Sequence, residues 1–432
     1  MMRAKLNTFQ RTVLMWNDMH PYNAVHVVKI SCRLDPARLK NVIDSCLEAC
    51  GLTNLMIDRN RKEYQYNGGK SDVTIEIIRG EEGGDTLVSE IRRQLDVPFD
   101  LNGEIKPFRF FAMEEGGAFH LGLIYFHLIA GADSIIVLIK SLIEKYMEGE
   151  RSGPYPVFDL YPNNRCRVQG WSRYLVKWLV SLPRHVALLR RSCRPDFDDL
   201  VCYDTGFELH SFGPDDYAVL VSAARKWGVT LNDLFLAMLL KALSPLAFRR
   251  LEATRRKDIS VASIVNIRKD LAFDNPRIFG LFLGYFNVSH MVPGGVDLKT
   301  VSEAVHAETE KIKKNRLYLW ALAEMRVALL LFPYFFSKRK NKFYSKYHPV
   351  WGGITNINLN TFWQQADEKP PEVYLRAVST GSATPLVLSF TTVHDKISVG
   401  ISYKETVFSK EDIRTILSGF SMDILQLKGD RQ

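Results

Sequence analysis

In the stretch Tyr125 to Ser134, YFHLIAGADS, a single histidine closes an apolar run and a turn of small residues follows it. The run FHLGLIYFHL is apolar at both alternating sets of positions, which predicts a central strand buried on both faces. A histidine at the end of such a strand emerges at a sheet edge, just where the next helix begins. Asp133 or Ser134 can cap that helix, and the partial positive charge of its N-terminus disfavours an imidazolium. His127 would then be a neutral imidazole able to take a proton. From the pattern alone the commoner outcome is a core histidine hydrogen-bonded to a carbonyl. His120 belongs to the opposite strand face, and His394 falls in the hairpin-like turn TVHDK, where exposure is expected.

Other chemistry is thinner. Six cysteines, Cys32, Cys46, Cys50, Cys166, Cys193 and Cys202, are scattered with no C-x-x-C pair, which reads as reduced thiols in the cytoplasm. Cys46 and Cys50 share a face of a predicted helix and are expected to be a buried structural pair. No spacing of His, Cys, Asp and Glu forms a metal-ligand set.

A chain of 432 residues exceeds the size of one core and is expected to form two domains. Fifty-seven bases against 48 acids give a formal charge of +9, which favours anionic partners such as phosphorylated cofactors, acidic carrier proteins or anionic membrane surfaces. No zinc-finger spacing, RNA-binding aromatic motif or basic zipper appears, so nucleic acid is not expected. No run of 18 apolar residues occurs; the nearest, LYLWALAEMRVALLLFPYFF from Leu317 to Phe336, is broken by Glu324, Arg326 and Pro333.

The elements that must position His127 follow from periodicity. Strands are predicted at Ala24 to Leu34, Val73 to Ile78, Phe108 to Met113 and Phe119 to Leu128, the last two parted by the turn EEGG. Helices are predicted after Asp35-Pro36 until Gly51, over Thr86 to Gln94 and over Ser134 to Met147. Residues 150–170, rich in proline and glycine, mark a linker, and Trp171 to Arg191 is a long amphipathic basic segment. The expected division is a first α/β lobe over 1–160 that carries the histidine, a linker and amphipathic helix over 161–200, and a second α/β lobe over 201–432.

Several segments, in order, resemble one superfamily. VPFDLNGEIKPFRFF (Val97 to Phe111) looks like its "PFDL" segment, and YFHLIAGADS resembles its motif HHxxxDGxS, with His127 at the second histidine and Ser134 at the serine. VTLNDLFLAMLLKAL (Val229 to Leu243) is similar to the signature TxNDxxLA, carrying Asn232 and Asp233. VNIRKDL supplies an arginine, Arg268, and IFGLFLGYFNVSHMV (Ile278 to Val292) resembles a "GxFxN" strand. GGITNINLNTFW (Gly352 to Trp363) and PLVLSFTTVHDKISVGISYKETVFSKEDI complete the match over about residues 5–425. These are the marks of the condensation domains and coenzyme A-dependent acyltransferases, which include chloramphenicol acetyltransferase, alcohol acetyltransferase-type enzymes and bacterial wax ester synthases.

The resemblance implies an α/β fold, in which two acyltransferase-like lobes, each a two-layer α+β sandwich, form a V-shaped pseudo-dimer with a tunnel between them. It implies an acyltransferase with His127 as general base. The donor would be acyl-CoA or an acyl carrier protein with its phosphopantetheine thioester; the acceptor would be a hydroxyl or amine, such as a small alcohol or lipid. No permanently bound cofactor is implied. Asn232 and Asp233 would help join the halves, Thr355 and Asn356 in a tight GGITN turn would supply oxyanion donors, and Gly280 and Gly284 would allow close backbone approach. Two positions depart from the motif: Phe126 replaces its first histidine and Gly131 its aspartate. In the family that aspartate pairs with the arginine, so the expectation here is that Asp133 reaches Arg268 instead, or that Arg268 is solvated and other contacts hold the loop. The alternative is a non-catalytic binding or scaffolding relative. The two basic, aromatic segments, Trp171 to Arg191 and Leu317 to Phe336, suggest a peripheral contact with the inner membrane surface.

Overall fold

The structure is a computed structural model of the whole chain. It describes residues 2–79, 85–149, 153–162, 180, 183, 187–188, 190–198, 202, 204–249, 256–271, 277–334, 343–344, 348–364 and 370–429. Most of Trp171 to Arg191, and Cys166, lie outside the described residues.

The chain divides into two compact units. The first comprises Met1–Gln169, Asn266–Leu283 and Leu359–Ser379; the second comprises Gly170–Val265, Gly284–Asn358 and Thr380–Gln432. They interleave, so a single cut near residue 200 does not separate them: two later segments return to the first unit.

With elements numbered in chain order, the first unit opens with β1 (Ala4–Lys5) and α1 (Thr8–Asn17), then β2 (Asn23–Ile30) and α2 (Pro36–Ala49). Asp35 caps α2 by accepting from the Arg38 amide, Pro36 sets its first turn, and Gly51, at φ +67°, turns the chain away after it. The short strands β3 (Leu55–Asp58) and β4 (Glu63–Tyr66) form a small sheet with β1. Next come β5 (Ile75–Arg79), α3 (Asp85–Asp96), β6 (Phe108–Glu115), β7 (Ala118–Phe126) and α4 (Ala132–Glu148). Gly116 and Gly117, both at positive φ, make the two-residue turn between β6 and β7 that the pattern EEGG predicts. The main sheet has the order β12-β2-β7-β6-β5, where β12 is Tyr374–Val378. β7 lies in its middle, which accounts for its burial on both faces from Phe119 to Phe126. Gly122 faces Phe111 across the ladder, and a Cβ there would stand 2.1 Å from that ring. The glycine therefore makes room for the aromatic.

The second unit contains β8 (Thr205–Phe212), α5 (Pro214–Trp227), α6 (Leu231–Arg249), β9 (Ile259–Asn266) and β10 (Leu283–His290) except their end residues Asn266 and Leu283, α7 (Leu298–Lys314), α8 (Trp320–Leu331), β11 (Gly352–Asn358), β13 (Leu386–Val393), β14 (Lys396–Lys404) and α9 (Lys410–Gly429). Its six-stranded sheet runs β10-β9-β11-β13-β14-β8. β11 is parallel to both β9 and β13, and β13, β14 and β8 are antiparallel in turn. Among the described residues no single helix is long and apolar enough to cross a membrane.

Candidate active site

His127 stands one residue beyond β7, and its amide donates to the Tyr22 carbonyl at 3.1 Å. Its ring is half-buried. It stacks on Tyr22 with centroids 5.7 Å apart and meets the edge of Tyr125 at 5.6 Å. Nδ1 lies 3.2 Å from the Ala130 carbonyl oxygen. A carbonyl only accepts, so this contact requires the proton on Nδ1 and leaves the Nε2 lone pair as the ring's acceptor. Desolvation by burial lowers the ring's pKa to about 4, against the opposing pull of the Ala130 carbonyl. The imidazole is therefore neutral at pH 7. The dominant cause is burial, not the helix terminus that the sequence pattern suggests.

The helix after it is also capped differently from expectation. The N-cap of α4 is Gly131 with no side-chain cap, while Asp133 and Ser134 lie in the first turn and turn to Arg268. Asp133 Oδ2 is 2.6 Å from Arg268 Nε and also accepts from Asn266 Nδ2 at 3.1 Å. Arg268 donates further to Ser134 Oγ at 2.9 Å, to the Ile278 carbonyl at 2.6 Å and to the Gly280 carbonyl at 2.9 Å. Its guanidinium also lies 5.0 Å from the Phe282 ring centroid. The Gly280 carbonyl accepts a second bond, from the Gly131 amide at 3.0 Å. One arginine and one carbonyl thus tie the turn after His127 to the segment Asn266–Leu283. The expected contact between Asp133 and Arg268 is present.

Gly131 has φ −86°, open to any residue, so its smallness matters for space. A Cβ there would stand 2.9 Å from Asp133 Oδ1. The Asp133 carboxylate occupies the side of the turn that a residue 131 side chain would enter, which accounts physically for a carboxylate at 133 and none at 131.

The other sequence candidates are placed as follows. Gly280 takes part through its carbonyl, and a Cβ on it would come within 2.8 Å of the Phe282 ring. Gly284 is a buried residue inside β10. Thr355 and Asn356 do not form a turn: they lie within β11, paired with Ser389 and Phe390 of β13. Successive strand residues point to opposite faces, so the two side chains cannot converge on one oxyanion. Thr355 is half-buried and Asn356 exposed.

Asn232 Nδ2 donates to Ser263 Oγ at 3.2 Å. Asp233 binds Thr230, His306 and Thr309 through hydrogen bonds and Lys313 at 3.7 Å. All these partners belong to the second unit, so the contacts of Asn232 and Asp233 brace that unit internally.

His120 is buried on the other face of β7 and faces Glu115 at 3.5 Å, while His394 is exposed in the turn between β13 and β14. Cys46 and Cys50 are both buried, as their shared helix face predicts, and Cys50 Sγ donates to the Pro156 carbonyl.

Sequence reasoning missed a polar group behind His127. His26 on β2 is buried, with Nδ1 2.7 Å from the Tyr374 hydroxyl, and its ring touches the edge of Tyr125 at 5.7 Å. Arg376 lies opposite it on β12 and is only 4% exposed. A histidine in the apolar strand AVHVV is a visible signal. Its partners are not, because β12 joins this sheet from almost 350 residues away, at an offset of 348 for the Tyr374 bond.

Residues 3–318 match the Condensation domain family. No curated protein sequence matches the chain. Among solved structures, the first condensation domain of the calcium-dependent antibiotic synthetase, bound to a substrate analogue, is 17% identical with TM-score 0.69, covering 99% of this chain and 97% of that one. An epimerization domain from the third module of tyrocidine synthetase B is 13% identical with TM-score 0.63, covering 99% and 96%. The EpoB cyclization-docking bidomain from Sorangium cellulosum is 13% identical with TM-score 0.66, covering 98% and 85%. At these identities the likeness is one of fold, and the family assignment rests on the match over residues 3–318: this chain belongs to the condensation-domain family.

Proposed function

We propose that the protein is an acyltransferase that moves an acyl group from a thioester to a hydroxyl or amine, with His127 as general base. The observation that carries this reading is the fixed, neutral imidazole: Nδ1–H is committed to the Ala130 carbonyl, and Nε2 offers its lone pair. The acceptor's proton would pass to Nε2 as its oxygen or nitrogen attacks the thioester carbonyl. The tetrahedral intermediate then expels the thiolate, which recovers the proton from the imidazolium. No acyl-enzyme bond forms. A positioned base contributes about 10²- to 10⁴-fold, and orientation of the two substrates contributes much of the rest.

The family is one of transferases that form amide or ester bonds, and the fold neighbours include nonribosomal peptide synthetase domains, which supports a carrier-bound or CoA-bound thioester as donor. An alcohol or lipid acceptor is the finer reading, supported by the two basic, aromatic sequence segments Trp171 to Arg191 and Leu317 to Phe336. The tie from Arg268 to Asp133 also favours activity, since it supplies the carboxylate that Gly131 lacks.

The test is thiol release from acetyl-, medium- and long-chain acyl-CoA and from an acylated carrier protein, each against a panel of alcohols and amines. Release that depends on donor and acceptor together, and falls at least about a hundredfold in His127→Ala, is the expected result. Equal rates in the variant would remove His127 from the chemistry, and silence with every donor would favour a non-catalytic binding protein.

A further inference from the structure

Helix α8 is apolar on the side where a helix packed on a protein is expected to be polar. Ala321, Leu322, Met325, Ala328 and Phe332 are buried and form one stripe. On the opposite side Val327 is 51% exposed, Leu330 71% and Leu331 44%, and Tyr334, on the single 3-10 turn that continues the helix, is 84% exposed. The spacing 327, 330, 331, 334 is one helical face. Burial in the core explains the first stripe, and among the described residues nothing covers the second.

The charge of the helix and of the sequence that follows it indicates its partner. The acid of α8, Glu324, is engaged internally, accepting from Tyr285 Oη at 2.9 Å and from Trp320 Nε1 at 2.7 Å. From Met325 to Ala366 the chain holds no Asp or Glu and six Lys or Arg, five of them between Lys338 and Lys346. An exposed aliphatic stripe ending in a tyrosine, with only positive formal charge along the sequence that follows, has the chemistry of a helix that lies in a membrane interface. We infer that the Val327, Leu330, Leu331 and Tyr334 face of α8 docks on an anionic lipid bilayer, with these side chains in the headgroup boundary. The inference stands independently of the chemistry assigned to His127.

Co-sedimentation of the full chain with vesicles tests it. Binding to vesicles of phosphatidylcholine with about one third phosphatidylserine is expected, with little binding to phosphatidylcholine alone and loss at high salt. The double variant Leu330→Ser/Tyr334→Ser should bind at least tenfold more weakly with an unchanged melting curve, because both side chains are exposed. His127→Gln should bind like the parent, which separates this result from the fate of the acyltransferase reading. Absence of binding by the parent, equal binding by the double variant, or light scattering in which the double variant turns a dimer into a monomer would overturn the inference. In the last case a second copy covers the face.

Discussion

Asp133 and Asp233 both sit in the first turn of a helix, α4 and α6, and each collects several donors, yet they do different work. Asp233 is fully buried. With Thr230 it forms a reciprocal cap: its carboxylate accepts from the Thr230 amide at 3.2 Å, and its own amide donates to Thr230 Oγ1 at 3.2 Å. The same carboxylate receives Thr309 at 2.6 Å and His306 at 2.8 Å from α7, so it pins two helices together. Burial alone would raise its pKa, but the bonds from Thr230, Thr309 and His306 and the charge of Lys313 outweigh that and hold it below the usual carboxylate range. Asp133 keeps 28% of its side chain in solvent and binds one arginine and one asparagine. It fixes a turn of a few residues, and that turn begins at His127. Asp233 holds two helices together; Asp133 holds the turn that follows His127.

Removing each acid should therefore separate stability from activity. Asp233→Ala should cost about 3–5 kcal/mol by leaving buried donors and a nearby lysine without their anion, read as a drop in denaturant midpoint. Gly131→Asp should cost roughly 1–3 kcal/mol, since it brings a second carboxylate against Asp133 Oδ1. In the double variant Gly131→Asp/Asp133→Ser most of that loss should return, and if it does not, the two positions do not share one space.

Asp133→Ala should cost only about 1–2 kcal/mol, because Arg268 retains three oxygen acceptors, yet reduce thiol release by roughly tenfold to a hundredfold through misplacement of the turn. A large stability loss with unchanged turnover per folded molecule would reverse the comparison. Thr230→Val should cost about 1 kcal/mol, the ordinary loss of a helix cap, with no change in kcat.

The smallest expected effect is one of pH. With the His127 pKa lowered to about 4, kcat/KM should change by less than about a tenth between pH 6 and 8 on this group's account and fall only towards pH 4. An acid limb near pH 6.5 would mean an ordinary, hydrated histidine.

How far the sequence discloses this arrangement depends on the range of the interaction. Elements set by neighbours are legible: the Asp35-Pro36 start, the Gly116-Gly117 turn, the β7 strand and the position of His127 at its end. The bond from Asp133 to Arg268 is legible only through the resemblance, as it spans 135 positions and no local pattern encodes it. The GGITN segment misleads for a definite reason. Gly352 and Gly353 look like turn residues, but neither has positive φ; a Cβ on Gly352 would stand 3.2 Å from Leu386 and one on Gly353 3.4 Å from Ala262 Cβ. They are small so that β11 can lie close between its neighbours. The interleaved units and the placing of β12 beside β2 are likewise products of non-local pairing, which single-sequence periodicity does not carry.

The most direct test is a ¹⁵N NMR titration of the His127 ring, assigned by comparison with His127→Gln. A neutral ring protonated at Nδ1, with Nε2 bare at pH 7 and titration only near pH 4, is the predicted result. A proton on Nε2 at pH 7, or an imidazolium already formed near pH 6.5, would contradict the assignment of this histidine as the base.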